Sequence, residues 1–65
     1  MRQKVLDKLL KRRLRAIVRS CTEALAVMDY TERQNPDWPP RDRGPILLVQ
    51  RAAEAALASM SDATE

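Results

Sequence analysis

The stretch from Arg2 to Met28 contains neither Gly nor Pro, so nothing in it breaks a continuous helix. Within it Leu6, Leu10, Leu14, Ile17, Cys21, Leu25 and Met28 recur at steps of three and four. At about 3.6 residues per turn, that spacing draws a single apolar stripe. Lys4, Lys8, Lys11, Arg12, Arg15 and Arg19 gather on the opposite face, within an arc of about 100°. A fold organised round this helix must keep one side dry and leaves the other cationic.

Asn35-Pro36 ends the element, because a residue before Pro is pushed out of the helical region and Asn favours turns. The first helix is therefore expected over about residues 2–33. The connector, about 34–44, holds Trp38, all but one of the four prolines and, at its end, the only Gly; it excludes a regular element, and Pro39-Pro40 suits a stiff, extended path. A second helix is expected over about 45–60, with Pro45 tolerated in its first turn and Asp42 near enough to cap it. Its stripe is Ile46, Val49, Ala53, Ala56, Leu57 and Met60, rich in small residues that let helix axes approach closely. Leu47 and Leu48 fall off that stripe and suggest a second packing surface. The small, polar tail, 61–65, is expected to be disordered.

The expected fold class is all-α, one domain over 1–65: a two-helix hairpin with a Pro-rich connector. Two helices touching along one line leave much of each apolar face wet, and a chain of 65 residues is marginal alone. One Cys and no His leave neither an internal disulfide nor a standard zinc pattern, so no metal or cofactor is expected. Self-association remains. The expectation is a homodimer whose paired hairpins form a four-helix bundle, with Leu6, Leu10, Leu14, Ile17, Cys21, Leu25, Met28, Ile46, Val49, Ala53, Ala56 and Met60 at its core and dimer contacts. A hetero-partner supplying the missing helices is the competing arrangement.

Enzymatic chemistry has little to stand on. There is no His for acid–base work near neutral pH, no Gly-rich phosphate loop, and Cys21 sits on the apolar stripe, where a thiol behaves as a small hydrophobe. No apolar run is long enough to span a bilayer, so no membrane insertion is expected. The basic N-terminus superficially suggests an organelle-targeting peptide, but removing it would leave almost nothing to fold. A reducing, cytoplasmic setting fits best.

Charge is unevenly distributed. Residues 1–20 carry eight basic side chains and Asp7, net +7, whereas the whole chain is +3. The basic face reads in three ways: a solvated surface, a phosphate-binding surface for DNA or RNA through Lys4, Lys8, Lys11, Arg12, Arg15 and Arg19, or a surface for an acidic protein or anionic membrane. Trp38 is either a plug over the open end of the helix pair or an anchor for a partner, with Arg41 and Arg43 beside it.

In size, hairpin layout and lack of catalytic groups the chain resembles the small helical regulators carried by bacteriophages and mobile elements, which often act by binding and blocking a host protein. The resemblance implies a non-enzymatic regulator of a protein partner, with inhibition as one mode of action and Trp38, Arg41, Arg43, Leu47 and Leu48 as contacts. The alternative is a small nucleic-acid-binding regulator using the basic face.

Overall fold

A computed structural model describes residues 2–60, omitting the side chain of Arg2. The polar tail expected to be disordered, 61–65, lies outside the described residues. The fold is all-helical. Helix α1 spans Arg2–Gln34 and helix α2 spans Gly44–Met60. They pack against each other as a hairpin, 54 × 14 × 14 Å in extent.

α1 stops where the Asn35 side chain adds a donor to its last turn. The Asn35 backbone N–H donates to the Thr31 carbonyl at 3.0 Å, and the Asn35 side-chain amide donates to the same oxygen at 3.0 Å. This double contact caps the last turn, and Pro36 then forbids continuation. Trp38 N–H closes the following turn on the Asn35 carbonyl at 2.9 Å. At the start of α2, Asp42 Oδ1 accepts the Gly44 N–H at 2.8 Å. Pro45 has no N–H to satisfy, so the first turn keeps few orphan donors. The first backbone bond of the helix runs from Leu47 N–H to the Arg43 carbonyl, 2.9 Å.

The helices meet along a heptad-like seam. On α1 the less exposed positions include Lys11, Leu14, Val18, Cys21, Leu25, Met28 and Glu32; on α2 they include Ile46, Gln50, Ala53, Leu57 and Met60. Steps alternate between three and four, the pattern of helices packed side by side. Ala53 and Cys21 are buried, and their small side chains let the axes come close. Gln50 Nε2 donates to Thr22 Oγ1 at 3.0 Å and marks the level at which the antiparallel helices align. Counting from that bond, Met60 falls level with Arg12, so α1 runs on about 15 Å past the end of α2.

This seam is rotated from the stripe expected from sequence. Val18 takes the place against α2 that Ile17 was expected to hold, and Ile17 is 40% exposed. On α2, Gln50 lies in the seam and Val49 is exposed beside it. Leu6 and Leu10 lie on the part of α1 that extends past α2 and are exposed. The apolar arc is wider than one contact line, so α2 covers one edge of it and leaves the other open.

Candidate functional site: an open apolar groove backed by a basic flank

The uncovered edge of α1 forms a second heptad series: Leu6, Leu10, Arg13, Ile17, Ser20, Ala24 and Val27, again at alternating steps of four and three. α2 has a matching second series in Pro45, Val49, Ala52, Ala56 and Ser59. In an antiparallel pair these two edges fall on the same side of the hairpin. Between them lies an open groove of about 580 Å³. α1 lines it with Ala16, Ile17, Ser20, Cys21 and Ala24, and Arg13 stands at its rim; Pro45, Ile46 and Val49 line the α2 side. Among the described residues no large side chain is fully buried. The hairpin thus has apolar lining without a lid.

The opposite flank carries the basic residues. Lys4, Lys8, Arg12, Arg15 and Arg19 are exposed and run along about 22 Å of α1. Lys8, Arg12, Arg15 and Arg19 border a shallow depression together with Lys11. Lys11 departs from the reading of an evenly exposed basic face: it is 6% exposed, because it occupies the last seam position, level with the end of α2.

The connector is tied down by one carboxylate. Glu32 Oε1 accepts from Arg43 Nη2 at 2.8 Å, and Oε2 accepts from Arg43 Nη1 at 3.4 Å and from the Arg41 backbone N–H at 3.0 Å. Hydrogen bonding from the Arg43 guanidinium, then from the Arg41 amide, holds the Glu32 carboxyl below the ordinary carboxylate range, and the same contact raises Arg43. Such a forked pair fixes orientation as well as attraction. No sequence signal marks it, because the partners are eleven residues apart across an irregular segment.

The residues expected to form one partner-binding surface lie partly in the connector, Trp38, Arg41 and Arg43, and partly on the first turns of α2, Leu47 and Leu48. Arg43 is engaged by Glu32. Trp38 is 53% exposed. Leu48, 70% exposed, projects from the side of α2 away from α1, and Leu47 lies about 100° round the helix from it, toward the basic flank. The second heptad series was the missed signal; it was legible in the spacing of Leu6, Leu10, Ile17 and Ala24 once a separate series was assigned to α2.

Among the described residues no group of three or more His, Cys, Asp or Glu is placed to hold a metal ion, and no helix is long and apolar enough to cross a membrane. No family model matches the chain, and no curated protein or solved structure matches it.

Proposed function

We propose that this chain is a non-catalytic regulator that works by helix association, pairing as a homodimer into a four-helix bundle and modulating a protein partner. The observation that carries the reading is the open groove between Ile17 and Val49, continued by exposed Leu6 and Leu10 on the projecting turns of α1. Apolar helix edges on this scale are stabilised by other helices, since removing them from water contributes about 25 cal/mol per Å². A bundle of two hairpins buries all of them at once. In that bundle Trp38, Arg41 and Leu48 stay outside the shared core, available to a partner, with inhibition as one mode of action. Light scattering of the purified chain, with affinity capture and mass spectrometry, tests the reading. A dimer that repeatedly captures one protein supports it, and capture of nucleic acid alone overturns it.

A second reading is favoured by one observation, the row of exposed Lys8, Arg12, Arg15 and Arg19 on the flank opposite the groove. Pairing through the groove leaves this row facing water, where it can neutralise the phosphates of DNA or RNA. Binding that falls steeply with added salt, and falls further on charge reversal at Lys8 and Arg15, supports this reading; an affinity indifferent to both removes it.

A further inference from the structure

We infer that the open seam of α1 is filled by the same seam of a second copy, running antiparallel, with the two-fold axis beside Arg15. This rests on the homodimer reading above and adds direction and register to it. The positions 6, 10, 13, 17, 20 and 24 map onto themselves when read backwards about residue 15, and Val27, the last of the series, falls opposite Gln3 of the second copy. An isologous contact needs that self-complementarity. In this register large faces small: Leu6 lies opposite Ala24 of the second copy, Leu10 opposite its Ser20, and Arg13 layers with its Ile17. Close packing of helices requires such alternation of volume. A parallel pair would instead stack Leu on Leu, set Ala24 against Ala24 with a gap, and place Arg13 against Arg13 inside the seam.

Element lengths point the same way. α1 has 33 residues and α2 has 17. By the Gln50–Thr22 bond, α2 flanks α1 only from about residue 12 to residue 28. In the antiparallel register the α2 of the second copy flanks residues 2–18, the part that the chain's own α2 leaves bare. The two short helices then cover nearly the whole length of each long one, whereas a parallel pair leaves both projecting ends as an uncovered two-helix stub.

The test uses the unmodified chain. Light scattering gives its mass, and isotope-filtered NOEs in a mixture of labelled and unlabelled chains give contacts between copies. The expected result is a dimer with NOEs joining Leu6 methyls to the Ala24 methyl, and Leu10 methyls to the Ser20 β-protons, of the other copy. A dimer with Leu6–Leu6 and Leu10–Leu10 NOEs, or with no signal between copies from this seam, overturns the register and leaves the pairing. A folded monomer overturns both.

Discussion

Arg43 grips Glu32 through both terminal guanidinium nitrogens, at 2.8 and 3.4 Å, across the irregular segment between α1 and α2. The Arg41 amide binds the same carboxylate, so one side chain near the end of α1 fixes both the path of the connector and the entry into α2. Two helices that pack along a single seam need such a fixed entry, because the seam alone resists sliding only weakly.

The carboxylate gives this hairpin an acid sensitivity of known sign. The Glu32 carboxyl in the folded chain lies below its ordinary value of 4.5, so the folded state holds the ionised form. That contribution is present above the unfolded value and is lost as pH falls through the folded one. Thermal melts followed by circular dichroism should show Tm declining as pH drops below about 4.5. Glu32→Gln should lower Tm by a few degrees at neutral pH and flatten the acid decline.

Gln50 and Thr22 hold an exposed polar contact at the edge of a seam that is otherwise mostly apolar. Thr22 Oγ1 also donates to the Val18 carbonyl at 3.1 Å, so losing the Gln50 donor costs it little. Gln50→Leu should therefore stabilise the hairpin, by about 0.5–1 kcal/mol, through apolar contact at a seam position. Chemical denaturation that gave a lower midpoint would show the hydrogen bond to be worth more than the packing.

Ala53, 5% exposed, sets how closely the two axes approach. Ala53→Leu inserts three carbons where α2 meets α1 and should cost about 1–3 kcal/mol. In a chain this small the loss should appear as reduced helicity at room temperature, whereas Ala58→Leu, on an exposed position of α2, should leave helicity nearly unchanged.

Lys11 and Lys8 should behave differently although they lie three residues apart on one helix. Lys11 is in the seam and Lys8 is exposed. Lys11→Glu places an opposite charge in a covered position and should lower stability by about 1–3 kcal/mol, and Lys8→Glu should stay within about 0.5 kcal/mol. Any nucleic-acid affinity should depend on Lys8, Arg12, Arg15 and Arg19 by steps in the salt slope of about one per lost phosphate contact.

The exposed leucines separate pairing from other uses of the surface. In the proposed homodimer Leu6→Ala truncates the seam between copies twice, and it should weaken self-association by about tenfold or more. Leu48→Ala, on the far side of α2, should leave the mass measured by light scattering unchanged. Capture of a protein partner that survives Leu6→Ala and fails with Leu48→Ala would place the partner outside the groove.

The amino-acid order determined the elements. Thirty-odd residues without Gly or Pro, then Asn35-Pro36, then Gly44-Pro45, permit two helices and one turn between them, because backbone sterics act locally. What tertiary structure decided was rotation about each helix axis. The apolar arc of α1 holds two interleaved heptad series, and periodicity alone cannot say which one meets α2. Close approach at Ala53 and Cys21, with the Glu32–Arg43 clasp setting the entry, selected Leu14, Val18, Cys21 and Leu25. That choice buried Lys11, turned Ile17 outward and left the second series open, since packing one edge of a wide apolar arc necessarily uncovers the other.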